Sequence, residues 1–187
     1  MILSARELDG IQRHAVREYP YEACGVILAR GRKRRLLQCK NVQNQLHAKE
    51  PQRYLRDART AYSISTEDLR LIYELEDFGV AIKVIYHSHV DAQQRGGGTG
   101  AYFSETDKAE ALQNGSPRYP MATYVVVSVV AREIEAVAGF RWNPRRRDFT
   151  RVDLEKRTWY EHGAVSASRA WAWVNQCSVK VKERRLQ

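Results

Sequence analysis

Apolar residues recur at helical spacing through Leu3, Leu8, Ile11, Ala15 and Val16, so the chain is predicted to open with an amphipathic helix over Leu3 to Arg17. Ser4 is placed to cap this helix, and Tyr19-Pro20 breaks it. The period then changes. Ala23 to Arg30 is a continuous apolar run of strand length, Gly31-Arg32-Lys33 reads as a turn, and Arg34 to Val42 reads as the hairpin partner. Residues 43–60 are polar and aperiodic around Pro51, and are expected to form a structured loop. A second helical period runs from Thr66 to Phe78 through Leu69, Ile72, Tyr73 and Leu75, with Gly79 placed to end it. Val80 to His89 follows as a strand. A loop holding Gly96, Gly97 and Gly98 then leads to a third helix, from about Ser104 to Gln113. Tyr124 to Val130 and Glu133 to Trp142 complete the series as two strands around a tight turn, closed by Asn143-Pro144. Strands interleaved with helices predict an α/β fold with a mixed sheet.

A length of 187 residues suits one domain with a proper core and is short for two. The expected division is a domain over residues 1–142 and a basic, Trp-containing extension over 143–187. Charge follows that division: of a net +9, residues 1–140 carry 19 Lys/Arg against 17 Asp/Glu, and residues 141–187 carry 12 against 5. Arg145-Arg146-Arg147 and the run from Lys180 to Arg185 would attract nucleic acid or an acidic protein without specificity. No recognisable nucleic-acid module accompanies them, so a solvated tail is expected rather than a nucleic-acid partner. Trp159, Trp171 and Trp173 either pack back onto the domain or form a partner surface. Cys24, Cys39 and Cys177 are odd in number and widely spaced, which argues against a disulfide framework or a CxxC metal site and fits a reducing cytosol. No stretch resembles a signal peptide or approaches the roughly 20 apolar residues of a membrane span, so a soluble cytoplasmic protein is expected.

The candidate chemistry starts at His87-Ser88-His89, where the third predicted strand ends. Side chains two apart on a strand leave the same face, so both imidazoles can converge on one ion. Taken alone, the pair is more often the pattern of surface or hydrogen-bonded histidines. Ser104 and Asp107 share a face at the start of a helix. Their spacing is also that of a capping box, and Ser65-Thr66-Glu67-Asp68 opens the second helix in the same way with no histidine nearby. The combination is more specific than its parts: a strand delivers two histidines, the chain reverses, and the next helix begins with a carboxylate aimed back at the strand end. Two imidazoles and a carboxylate are three ligands for a tetrahedral zinc ion, and they leave the fourth position open for the water a hydrolase needs. Such a site also requires a base. Glu22, between the proline break and the first strand, is the candidate, with a plain surface carboxylate as the alternative reading. Cys24 beside it opens an apolar strand and reads as a core residue rather than a nucleophile.

These residues resemble the JAMM motif, also called MPN+, of zinc metallopeptidases, which joins an upstream glutamate to His-x-His and, seven residues later, Ser-x-x-Asp. The resemblance follows the order of elements over most of residues 1–142. It rests on Glu22-Ala23-Cys24-Gly25, Tyr86 to Asp91, Gly100 to Asp107 and the Tyr124 to Val130 strand. It is strongest to the small bacterial JAMM peptidases that process ubiquitin-like sulfur-carrier proteins. The resemblance implies a curved mixed β-sheet flanked by helices, with Zn2+ held by His87, His89 and Asp107. Glu22 becomes the general base for the attacking water, later passing its proton to the leaving amine. Ser104 becomes a hydrogen-bond donor to the tetrahedral oxyanion. The implied reaction is hydrolysis of a peptide or isopeptide bond after the Gly-Gly end of a ubiquitin-like or sulfur-carrier protein. Deubiquitinase-like removal of a bacterial modifier from conjugates, or a non-catalytic MPN scaffold, are the alternatives.

The chain departs from the motif in one place. Fourteen residues, Val90 to Phe103, separate His89 from Ser104, and removing Ala92 to Gly98 would restore the usual spacing. The simplest reading is a loop extension, since three glycines let the chain bulge outward at little steric cost. A sharper one is that Arg95-Gly96-Gly97 mimics the tail of a ubiquitin-like substrate and occupies the cleft.

Overall fold

The computed structural model describes residues 2–92, 98–154 and 156–157. A short strand β1 (Leu3–Ser4) leads into helix α1 (Ala5–Glu18), then strands β2 (Cys24–Arg30) and β3 (Lys33–Cys39). Helices α2 (Gln43–Lys49) and α3 (Thr66–Asp77) precede the long strand β4 (Ala81–Val90), which is followed by helix α4 (Glu105–Ala111). A small hairpin of β5 (Leu112–Gln113) and β6 (Ser116–Pro117) leads to β7 (Thr123–Val130), β8 (Glu133–Asn143), β9 (Asp148–Val152) and β10 (Lys156–Arg157). No helix among the described residues is long and apolar enough to cross a membrane.

Six strands form one sheet in the order β3-β2-β4-β7-β8-β9. The β4–β7 pair is parallel and the others are antiparallel, so the sheet is mixed. The burial pattern explains the order. Val125, Val126, Val127 and Val129 of β7 are all fully buried, as a strand covered on both faces must be. One face packs Val84, Tyr86, Val125 and Val127 against Ile11 and Ala15 of α1. The other packs Cys24, Val26 and Val126 against Ile72 and Leu75 of α3. Each of the larger aliphatic side chains so buried contributes about 1.5–3 kcal/mol. His87 and His89 alternate with Tyr86 and Ser88 along β4, which puts both imidazoles on the α3 face of the sheet.

Local signals account for the helix ends. Ser4 caps α1 as its sequence suggests, with its hydroxyl accepting the Glu7 N–H at 3.2 Å while Glu7 Oε2 accepts the Ser4 N–H at 2.8 Å. Leu3 is therefore outside the helix and pairs instead with Lys156. The polar stretch expected to be only loop contains α2, a helix that lacks a side-chain cap and shows few apolar positions to read. The third predicted helix ends at Ala111 rather than Gln113 because Asn114 and Gly115 both take positive φ, 53° and 76°, and close a tight hairpin there. Past the turn at Asn143-Pro144 the sheet continues with β9, whose Phe149 is buried against Phe103, Tyr124 and Trp142. Arg95-Gly96-Gly97, Trp159, Trp171, Trp173 and the run from Lys180 to Arg185 lie outside the described residues.

Candidate metal centre

The last turn of pleat in β4 is where the site is assembled. His87 Nε2 and His89 Nε2 are 3.1 Å apart, and Asp107 faces both, with Oδ1 3.3 Å from His87 Nε2 and Oδ2 3.5 Å from His89 Nε2. Zinc bonds of about 2.0–2.1 Å in tetrahedral array would set ligand atoms about 3.3 Å apart. These separations lie near that value, and with one ligand atom from each residue within 4.8 Å of the others the three side chains meet in one potential metal-binding cluster.

Each candidate ligand is held by its own contacts. The His87 ring stacks on Tyr62, with centroids 4.9 Å apart, and His89 meets the Tyr102 ring edge-on at 5.0 Å. His89 Nδ1 lies 2.8 Å from the Gly100 carbonyl. Asp107 is delivered by the start of α4, where Ser104 Oγ accepts the Asp107 N–H at 3.1 Å and Asp107 Oδ2 accepts the Ser104 N–H at 2.7 Å. The capping reading of Ser-x-x-Asp is thus correct, and the carboxylate faces the histidines as well. The Ser104 oxygen acts as acceptor in the cap, which fixes the hydroxyl beside Asp107.

Glu22 is brought to the same cavity by backbone ties. Ser88, the middle residue of His-x-His, donates its N–H to the Ala23 carbonyl (2.9 Å) and accepts the Ala23 N–H on Oγ (2.8 Å). One residue on, the Glu22 N–H reaches the Ala58 carbonyl at 2.7 Å, and its own carbonyl accepts from Asn41 Nδ2 at 2.8 Å. Asn41 also donates to Ala61 and accepts from Gln43 and Ser63, so it binds the polar 43–63 segment to the mouth of the site. Asn41, Tyr62, Ser88 and Gly100 were not singled out from the sequence. Their only advance signal is proximity to the motif in the chain, or, for Asn41 and Tyr62, none.

Electrostatics separates the roles. Burial pushes Glu22 up to about 9, reinforced by the Asp107 charge and opposed by Arg56. Two positive charges at the triad would draw it back toward the carboxylate. Burial also works against ionising Asp107, but hydrogen bonds from His87 and His89, the charge of His87 and the bond from Ser104 outweigh it and hold this carboxyl well below the usual range. Burial lowers His87 against the pull of Asp107, which favours the neutral imidazole a metal requires. Cys24 is fully buried and its thiol is pushed far up by burial, so it is a core residue and not a nucleophile.

Glu22, His89, Ser104 and Asp107 line a cavity of about 280 Å³, with Arg56 and Arg59 on its rim. Tyr102 and Ser104 also border a second hollow of about 620 Å³ lined by Phe103, Phe140 and Phe149. Ser104 thus stands where an apolar groove meets the metal-binding cavity.

The sequence profile of prokaryotic homologs of the JAB domain matches residues 4–145. Tail tip assembly protein K of Escherichia phage N15 is 31% identical over 105 residues, which are 56% of this chain and 34% of the phage protein. The chain therefore spans about a third of the length of that relative. The solution structure of protein DSY2949 from Desulfitobacterium hafniense aligns with 85% of this chain and 94% of its own, at a TM-score of 0.55 and 18% identity, a likeness of fold. A Salinibacter ruber protein aligns over 87% of this chain and 97% of its own, with a TM-score of 0.52 and 26% identity.

Proposed function

With the chain belonging to the family of prokaryotic JAB-domain homologs, we propose that it is a JAMM-type zinc peptidase that hydrolyses the peptide or isopeptide bond after the C-terminal Gly-Gly of a ubiquitin-like sulfur-carrier protein. The observation that carries this reading is the convergence of His87, His89 and Asp107 in one cluster beside a buried glutamate. Two imidazoles and one carboxylate suit zinc, and a three-residue set keeps a coordination position open. When bound there, zinc supplies Lewis acidity at the carbonyl oxygen and acidifies water.

The chain's own residues do the rest. Glu22 takes a proton from the attacking water and returns it to the leaving nitrogen, so the carbonyl carbon gains a hydroxyl and the amine departs neutral. Its burial, at 5% exposed, keeps the proton from being lost to bulk water between the two transfers. Ser104, fixed by its cap, donates to the developing oxyanion. Tyr62 and Tyr102, packed on the two histidines, narrow the approach and favour glycine at the scissile carbonyl. A second reading draws on the likeness to a phage tail tip assembly protein: the same chemistry directed at a protein of a tail tip under assembly.

The test is intact-mass analysis of ubiquitin-like proteins carrying residues beyond Gly-Gly, incubated with the zinc-loaded protein, with chelator, and with Glu22→Gln. Wild type should remove the extra residues. Chelator should stop it, and Glu22→Gln should bind zinc normally while cleaving roughly 10²–10⁴-fold more slowly. Zinc binding without cleavage of any Gly-Gly substrate would reject that substrate class, and cleavage of a tail tip protein would establish the second reading. A wild-type protein that fails to bind zinc would be a scaffold.

A further inference from the structure

We propose that Glu135, outside the motif and on a different strand, is a positioning residue for the metal centre, acting on His89 through the two peptide units that meet at Gly100. The inference rests on the zinc reading of the site. Glu135 Oε2 accepts the Ser128 Oγ–H at 2.7 Å and the Gly100 N–H at 2.9 Å. On the other side of the same residue, the Gly100 carbonyl lies 2.8 Å from His89 Nδ1. A carbonyl only accepts, so this bond requires Nδ1 to carry a proton, and in the neutral ring that a metal binds Nε2 then keeps its lone pair. Nε2 is the atom that faces His87 and Asp107. One carboxylate on β8 thus sets, through residue 100, both the tautomer of His89 and the direction of its ring.

Two independent features mark the arrangement as built for this purpose. Ser128 pairs with Ala136 and Val129 with Ile134, so Glu135 is the extra residue of a β-bulge. A bulge turns a side chain out of the regular pleat, and here it lets Glu135 reach Ser128 and Gly100. Residue 100 must in turn be glycine: a Cβ there would collide with Ser128 Oγ and come within 2.6 Å of the Ala92 carbonyl. The close approach that lets Glu135 hold this peptide is open only to a residue without a side chain. Outer-sphere partners that orient a ligating histidine typically affect metal affinity by 10–100-fold.

The experiment compares zinc affinity, measured by competition with a chelating dye, for wild type, Glu135→Ala, Glu135→Gln and Glu135→Met as full-length chains. Histidine ¹⁵N shifts of the metal-free proteins report the His89 tautomer. Glu135→Ala should bind zinc roughly 10–100-fold more weakly and lose the pure Nδ1–H form of His89. Glu135→Gln, which keeps an acceptor oxygen for the Gly100 N–H, should lie closer to wild type in both readouts, and Glu135→Met, which keeps the length without the acceptor, serves if the alanine variant does not fold. A loop tie that is merely structural would lower stability and leave the tautomer unchanged. Wild-type affinity with an unaltered tautomer in Glu135→Ala, or in Glu135→Met, would overturn the inference. Failure of wild type to bind zinc would overturn the metal reading itself, and this one with it.

Discussion

Lowering the pH should destabilise the fold through one buried residue, His14, by an amount the structure sets. His14 is 3% exposed on α1, and its Nδ1 lies 2.7 Å from the hydroxyl of Tyr86, the neighbour of His87. This bond ties α1 to the strand that presents the two candidate metal-binding histidines. Burial, then the Arg17 charge, push His14 down to about 4 against the pull of Glu18. In the unfolded chain the same ring takes up its proton near about 6.5. Between those values the unfolded state binds more protons, so stability is full above the unfolded value and falls as the pH drops toward the folded one. Relative to about pH 7.5, the loss is about 2 kcal/mol at pH 5 and about 3 kcal/mol at pH 4. Urea denaturation of the metal-free protein at several pH values, for wild type and His14→Gln, isolates the effect. The variant cannot titrate and keeps a group able to bond Tyr86, so its fixed cost and every other titration cancel from the comparison. Wild-type stability should fall about 2 kcal/mol further than the variant's between pH 7.5 and pH 5. Parallel curves would refute the reasoning.

Ser104→Ala should cut turnover by roughly 10²–10³-fold through loss of the oxyanion donor, and should also cost about 1 kcal/mol through loss of the helix cap. Ser65→Ala supplies the control, with a similar cap loss in urea denaturation and unchanged turnover, because Ser65 caps α3 away from the cavity. Cys24 and Cys39 are cross-strand partners, both buried, with burial pushing Cys39 up to about 12 and Cys24 further. A thiol-labelling reagent applied to the native protein at about pH 8, followed by peptide mapping, should leave both unmodified, and unfolding should expose both. Rapid native labelling of either would show that the β2–β3 pair opens.

The fold was legible where apolar residues carry a period. The VILA segment of β2 and the valine run of β7 announced central strands, and the helical spacing in α1 and α3 announced the two layers around them. What stayed hidden has physical reasons. Helix α2 buries only Gln43 and is held by the Asn41 and Gln43 hydrogen bonds rather than by an apolar face, so periodicity had nothing to register. Strand β9 is an edge strand of five residues with one deeply buried side chain, Phe149, and is specified by its pairing with β8 and not by its own alternation.

The site shows the same limit more sharply, because Ser65 to Asp68 and Ser104 to Asp107 are both Ser-x-x-Asp and both cap a helix. Asp68 gives its Oδ2 to the Lys40 N–H at 2.8 Å and to the Ser65 hydroxyl at 2.9 Å, which ties α3 to the end of β3. Asp107 gives the corresponding oxygen to the Ser104 N–H, and its other oxygen faces His87 Nε2. Local chemistry cannot tell the two apart: a capping carboxylate keeps acceptor capacity beyond the cap, and its use is decided by whatever the sheet places opposite the helix start. For α3 that is a backbone amide. For α4 it is the end of β4, where the antiparallel register with β2 sets Cys24 across from His87 and so brings Glu22 level with His89. The catalytic potential of Ser104-Glu105-Thr106-Asp107 is therefore a property of strand register and helix placement acting together. Shifting β4 by one residue against β2 would turn both imidazoles to the α1 face and leave Asp107 an ordinary capping residue, as Asp68 is.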